Sequence, residues 1–256
     1  MNIEETKKIT LSLIDTFNKA GQVALDLRKI GLIKEIKPDN TPVSNGDIEV
    51  NKILTNKIKE ITPNIVIISE ESSSHKADNN LKDFWLIDPI DGTRDYINNR
   101  DEFTLNAALI LGNKPAIGIV TAPAKKRFFY SYGLSNSYEL RDGLRISLID
   151  KKKNYEGLTS VSYSDALKPE ILKIHKEYKI TTYQKMKSSL KFCVVAAGEF
   201  DMYVTEPRAC EWDIAAGHAI VEHAGGKLTD FDGNEVLYGK PDFKNPSLIL
   251  KNKNVL

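Results

Sequence analysis

Apolar positions recur along this chain with two different periods, and the periods separate helices from strands. Residues 4–30 place Ile9, Leu13, Phe17, Ala20 and Ala24 at three- and four-residue steps, the spacing of one apolar helix face. A second helix is predicted over 47–60, with Ile53, Leu54, Ile58 and the following Ile61 turned inward and Ser44 and Asn45 as candidate caps. The β-branched run over 64–69 and the apolar run over 84–88 predict two buried strands. Between them, residues 72–83 are polar and aperiodic, which predicts a mobile loop. Segments 103–111 and 115–122 predict a hairpin about Gly112-Asn113-Lys114, and 127–132 and 137–140 add short strands of a largely antiparallel sheet. The charged run Lys151-Lys152-Lys153-Asn154 reads as a hinge. Beyond it the pattern predicts strands over 158–163 and 202–205, helices over 169–178 and 189–199, and a helix over 213–224 closed by Gly225-Gly226. Strands over 227–231 and 247–251 end the chain. The expectation is an N-terminal α+β lobe over 1–150 and a C-terminal α/β lobe over 151–256, packed as one compact unit.

Composition narrows the classes. At 256 residues, 41% hydrophobic and 28% charged, the chain suits a globular protein with a sizeable core. Its 36 basic and 35 acidic residues leave a net charge of +1, which gives no electrostatic case for nucleic acid or an anionic membrane. No apolar run reaches bilayer length, and residues 1–8 lack a signal-like apolar core. Cys193 and Cys210 belong to no CxxC pair, so neither a zinc site nor a disulfide framework is expected. The expectation is a cytoplasmic protein with reduced thiols and no integral membrane segment.

The candidate chemistry is acidic. Trp85-Leu86-Ile87-Asp88-Pro89-Ile90-Asp91-Gly92-Thr93 puts two carboxylates and a hydroxyl at the end of an apolar run, where Pro89 restricts the backbone and predicts a turn. Both acids can then face one cleft, with the Ile90 carbonyl presented beside them. Gly92-Thr93 reads as the start of a helical turn, whose free N–H groups favour phosphate. Glu70-Glu71 follows Ile65-Val66-Ile67-Ile68-Ser69, and Trp212-Asp213 opens an apolar helix. Each site alone has a plainer reading: a solvated turn, a solvated strand end, or, for Asp213 and Asp47, a first-turn helix charge. Together they suggest a divalent-metal centre of hard oxygen ligands, because acids brought together without a cation repel and lose hydration. His75 reads as solvated, His218 and His223 as packing or surface residues, and Ser188-Ser189 as helix caps that can touch a phosphate from a cleft. No GxxxxGK or GxSxG motif is present.

Three segments, Glu70-Glu71-Ser72, Asp88-Pro89-Ile90-Asp91-Gly92-Thr93 and Trp212-Asp213-Ile214-Ala215-Ala216-Gly217, resemble in order and spacing the signatures of the inositol monophosphatase superfamily. Its members are magnesium-dependent, lithium-sensitive phosphatases. Thr41-Pro42-Val43-Ser44, the segment from Asp101 to Ile110, Ser188-Ser189-Leu190-Lys191-Phe192-Cys193, Gly217-His218-Ala219 and Asn245-Pro246 resemble the bacterial 3'(2'),5'-bisphosphate nucleotidases within it. The resemblance implies an α/β fold, a layered αβαβα sandwich. It implies two or three Mg²⁺ ions, ligated by Glu70, Asp88, Asp91, Asp213 and the Ile90 carbonyl, with Glu71 acting through bound water. Asp47 and Thr93 match the pair that activates the attacking water, and the Gly92 and Thr93 amides match a phosphate cradle. Ser189 joins these ligands on the substrate side. The implied partner is a small nucleotide, hydrolysed at its 3'-phosphate, and a homodimer is the implied assembly. Lys191, Arg208 and Glu211 are nucleoside contacts by position alone. Asn45-Gly46 and Arg94-Asp95-Tyr96 depart from the usual pattern. Glu206, seven residues before Asp213, matches an acid that contacts substrate hydroxyls in inositol phosphatases, so an inositol or sugar phosphatase stays open as an alternative. A regulator that binds phosphate without turnover is a third reading, against which Asp47 and Thr93 speak.

Overall fold

The computed structural model describes residues 1–38, 40–71, 81–150 and 156–255. The predicted hinge run, His75 and most of the predicted 72–83 loop lie outside the described residues.

The N-terminal helix, α1 (Ile3–Ile30), starts with a capping box in which the Asn2 side chain accepts from Glu5 N and the Glu5 carboxylate accepts from Asn2 N. A short antiparallel pair follows, β1 (Lys34–Ile36) and β2 (Pro42–Ser44). Then comes α2 (Asn45–Ile61). Ser44 caps α2, whereas Asn45 is already helical and its side chain accepts from Ile33 N. A seven-stranded sheet is built from β3 (Val66–Ser69), β4 (Phe84–Asp91), β5 (Thr104–Leu111), β6 (Lys114–Ala122), β7 (Arg127–Ser131), β8 (Ser137–Arg141) and β9 (Leu144–Ser147), in that spatial order. It is antiparallel except where β3 runs parallel to β4. The turn helix α3 (Thr93–Ile97) joins β4 to β5.

The second half forms a five-stranded sheet ordered β11-β10-β12-β14-β13, from β10 (Leu158–Ser162), β11 (Ile180–Lys185), β12 (Met202–Thr205), β13 (Lys227–Thr229) and β14 (Leu248–Lys251). Its helices are α4 (Pro169–Glu177), α5 (Leu190–Ala196) and α6 (Glu211–His223). Helices α1 and α2 pack on one face of the seven-stranded sheet; α5 and α6 fill the space between the two sheets, and α4 covers the far face of the smaller one. That is the layered αβαβα sandwich expected from the resemblance. Three cores fill the layers: Leu13, Phe17, Leu54 and Trp85 under α1 and α2; Phe192, Ile220 and Leu250 between the sheets; and Ile171 with Met202 beneath α4. Gly118 on β6 lets α6 approach closely, since a Cβ there would lie 2.3 Å from the Ala216 carbonyl.

Several boundaries differ from the pattern reading. The strand predicted over 84–88 does not turn at Pro89; β4 continues to Asp91, with a register shift between Asp88 and Asp91 and Asp91 opposite Thr104. Proline lacks a ladder donor, and the irregularity accommodates it. Strands β1, β2, β9 and β11 went unpredicted, because they are short and, in β1 and β11, exposed. Helix α5 stops at Ala196 rather than at Glu199. Helix α6 begins at Glu211, two residues before Asp213.

Candidate active site

The predicted acids arrive from three elements. Glu70 follows β3, Asp88 and Asp91 close β4, and Asp213 lies in the first turn of α6. Asp213 is tied back to the helix start, where its Oδ2 accepts from Cys210 N at 2.6 Å. One carboxylate oxygen from each of Glu70, Asp88 and Asp213 lies within 4.8 Å of the others. Asp88 is 1% exposed, and its Oδ1 has no hydrogen-bond partner among the described residues. Burial raises the proton affinity of all three: Asp88 sits well above the ordinary carboxylate range, Asp213 is pushed up to about 7 and Glu70 to about 6, with the neighbouring carboxylates adding to the effect. An orphaned buried carboxylate oxygen among like charges fits a hard cation ligated by oxygen.

Lys37 sits against this cluster. Its Nζ is 2.7 Å from Glu71 Oε1 and 3.5 Å from Glu70 Oε1. Glu71 is thus engaged by an ammonium. No sequence signal marked Lys37, since the chain returns it to the acids only through the β1–β2 hairpin.

The candidate water-activating pair also meets. Asp47, 1% exposed, occupies the first turn of α2, and its Oδ2 accepts from Ser44 N and Ser44 Oγ. Its Oδ1 lies 3.1 Å from Thr93 Oγ1, which also reaches the Ile90 carbonyl at 2.9 Å. Thr93 has a single hydroxyl hydrogen, so Asp47 Oδ1 and the Ile90 carbonyl compete for it, and a cation on that carbonyl would leave it to Asp47. Burial raises the Asp47 carboxyl above its ordinary value, and the Ser44 hydrogen bonds oppose the rise. Gly92 precedes Thr93 with φ of 93°, where a Cβ would lie 2.8 Å from the Glu102 carbonyl. Only glycine suits that backbone.

Glu70, Asp88, Ile90, Asp91, Gly92, Thr93 and Asp213 line a cleft of about 600 Å³ as its acid wall, together with a basic and aromatic wall of Tyr163, Lys187, Lys191, Tyr203 and Arg208 and the hydroxyls of Ser188 and Ser189; Asp47, Glu71 and Lys37 are absent from the lining. Arg208 stacks 3.8 Å over the Tyr163 ring, and Lys191 Nζ lies 5.4 Å from the Tyr203 ring centroid. Burial depresses Lys191 to about 8. Ser189 Oγ meets Asp91 Oδ2 at 2.6 Å and touches the Asp213 carbonyl. Lys191 and Arg208 line the cleft as expected by position, but Glu211 does not. It is fully buried and accepts from Gly239 N and Lys240 N, so its role is to pin that loop. Glu206 is held by the Tyr163 hydroxyl and by Lys168 and is absent from the cleft lining. His218 and His223 are packing residues, paired with Tyr238 OH and Gly133 N. Neither Cys193 nor Cys210 is in a disulfide. No described helix is long and apolar enough to cross a membrane.

The sequence matches the model of the inositol monophosphatase family over residues 5–255. It is 34% identical over 214 residues to the 3'(2'),5'-bisphosphate nucleotidase CysQ of Escherichia coli K12, covering 82% of this chain and 85% of the relative. The Buchnera aphidicola protein of the same name is 36% identical, with 79% and 76% covered. In structure the chain is similar to CysQ from Bacteroides thetaiotaomicron, with a TM-score of 0.77, 27% identity and coverage of 95% and 96%.

Proposed function

This chain belongs to the inositol monophosphatase family, and we propose that it is a magnesium-dependent 3'(2'),5'-bisphosphate nucleotidase. It hydrolyses adenosine 3',5'-bisphosphate at the 3'-phosphate to AMP and inorganic phosphate. The relatives' names give the activity. The observation in this molecule that carries it is the buried convergence of Glu70, Asp88 and Asp213, with an unpartnered Asp88 oxygen, in one cleft with basic and aromatic side chains.

Glu70, Asp88, Asp91, Asp213 and the Ile90 carbonyl are the residues that would hold magnesium, as two or three ions. Bound magnesium supplies positive charge that makes water more acidic and offsets charge developing on the phosphate and leaving oxygens. Asp47 holds the Thr93 hydroxyl as a donor, which leaves the Thr93 lone pairs to accept a hydrogen from the attacking water and fix its direction. Glu71 assists through a water, once its pairing with Lys37 yields. The Gly92 and Thr93 amides hold phosphate oxygens. Lys187, Lys191 and Arg208 meet the second phosphate, and the Tyr163 and Tyr203 rings offer apolar faces to the nucleoside. The segments 1–150 and 151–256 act as one catalytic unit, because the cleft takes residues from both. Two cysteines that form no disulfide suit a reducing cytoplasm, and a homodimer is the assembly we expect.

The inositol or sugar phosphatase alternative needs an acid facing the cleft for substrate hydroxyls; Tyr163 and Lys168 both engage Glu206 Oε1, its Oε2 has no hydrogen-bond partner among the described residues, and Glu206 is absent from the cleft lining. A magnesium titration against adenosine 3',5'-bisphosphate, inositol 1-phosphate and fructose 1,6-bisphosphate tests the assignment. We expect magnesium-dependent phosphate release, fastest with the nucleotide. Preference for inositol 1-phosphate would overturn the substrate, and binding without turnover would make the protein a regulator.

A further inference from the structure

An asparagine stands where the β5 strand has no structural need of one. Asn106 is fully buried, directly opposite Asp88 in the β4–β5 ladder, in the run Thr104-Leu105-Asn106-Ala107-Ala108-Leu109. An amide withdrawn from water in an apolar strand is unfavourable unless it is bonded. Its Oδ1 has no partner among the described residues. Its Nδ2 donates to Ser189 Oγ at 3.1 Å, across to the start of α5. Ser189 Oγ in turn contacts Asp91 Oδ2 and the Asp213 carbonyl.

A hydroxyl has one hydrogen and two acceptor lone pairs. With the Asn106 amide filling a lone pair, the single Ser189 hydrogen is left to Asp91 Oδ2 or the Asp213 carbonyl. We propose that Asn106 is a positioning residue that acts through Ser189 to orient Asp91 for cation binding. An amide turned the other way would draw the Ser189 hydrogen onto itself and release Asp91. The bonded Nδ2 therefore keeps the Ser189 hydrogen available to Asp91 Oδ2, in competition with the Asp213 carbonyl alone. Partners behind a ligating carboxylate set its orientation and tune affinity. This role rests on the metal reading of the cluster given above.

The test uses Mn²⁺ as probe, because it takes the same hard oxygen ligands as Mg²⁺, titrated without substrate and read from the electron paramagnetic signal of the free ion. Asn106→Leu removes the donor, Asn106→Asp replaces it with an acceptor, Ser189→Ala breaks the next link, and Ser189→Thr keeps the hydroxyl. We expect Asn106→Leu, Asn106→Asp and Ser189→Ala each to weaken Mn²⁺ binding by about 10- to 100-fold. Ser189→Thr should stay near wild type, and the Asn106→Leu/Ser189→Ala double variant should be no weaker than Ser189→Ala alone. The magnesium concentration for half-maximal rate should rise in parallel, with kcat at saturating magnesium less affected. Mn²⁺ affinity within about twofold of wild type in Asn106→Leu, or in Ser189→Ala should the first variant fail to fold, overturns the role. Losses that multiply in the double variant also overturn it. Wild-type protein that binds no Mn²⁺ removes the metal reading itself, and this role with it.

Discussion

The two walls of the cleft carry opposite charge, and burial works on them in opposite directions. On the acid wall it raises Glu70, Asp88 and Asp213. On the basic wall it depresses Lys191 to about 8. Each wall is unfavourable by itself, and each is relieved by a ligand of the other sign. Their construction differs as well. The acid wall stands on a strand end and a helix start whose spacing is fixed by the β4–β5 ladder and the α6 capping box. On the basic wall Arg208 stacks over Tyr163, while Lys187 and Lys191 donate to the Tyr163 and Ser188 carbonyls of loop and helix-start backbone.

Breaking the acid wall should have the largest effect. Asp88→Asn is expected to lower kcat by about 10³-fold or more, while calorimetry in chelator shows a melting temperature at or above wild type, because a buried like charge has been removed. Near-wild-type turnover would show that the cluster is not catalytic.

Breaking the basic wall should be milder and selective. Lys191→Met or Arg208→Ala is expected to raise KM for adenosine 3',5'-bisphosphate about 10- to 100-fold, the equivalent of about 1.5–3 kcal/mol for a charged hydrogen bond. KM for phenyl phosphate, which has no second anion, should change by about twofold or less. Equal losses on both substrates would place these cations on the reacting phosphate.

The opposed burial of the walls also predicts a pH dependence. Glu70 and Asp213 bind protons more tightly in the folded than in the unfolded chain, at about 6 and about 7. In chelator these two acids therefore hold extra protons in the folded state between the ordinary carboxylate range and about 7, so their contribution to stability falls as pH rises through that window. Buried His218 and His223, depressed to about 3 and about 4, contribute the opposite slope over the same range, and they do so with or without a cation. The test is therefore the difference in melting temperature between saturating magnesium and chelator, which should grow as pH rises toward about 7; a difference that does not change with pH would show that the cluster is not strained without a cation.

The smallest effect lies outside both walls. Trp85 Nε1 donates to Thr62 Oγ1 at 3.0 Å beneath α2. Trp85→Phe should cost about 1 kcal/mol, a melting shift of about 2–4 °C, with kcat/KM unchanged. A change in kcat/KM would mean that packing under α2 reaches the acid wall.

Long periodic elements were legible because burial of one face imposes a period on sequence. The apolar positions Leu13, Phe17, Ala20 and Ala24 read as one face of α1 and are buried in the structure. The acid segments were legible as chemistry, because paired carboxylates at the ends of apolar runs are costly without a partner. Short or exposed strands such as β1 and β11 left no such trace. Pro89 pointed to a turn, yet the ladder resumes at Asp91 opposite Thr104, since pairing with a neighbouring strand outweighs one missing donor. Asn106 was visible as a polar residue in an apolar strand, but its meaning depends on Ser189, far away in sequence.

The chain alone thus determined its long helices, its buried strands and the acids that set its family, since each follows from local spacing or from a contiguous motif. Tertiary structure decided which charges face one another. Lys37 meets Glu70 and Glu71, Tyr163 and Lys168 occupy Glu206, Glu211 pins a loop, and Asn106 reaches Asp91 through Ser189. Those pairings join residues that share no local period, and a buried charge takes its state from whatever packs around it.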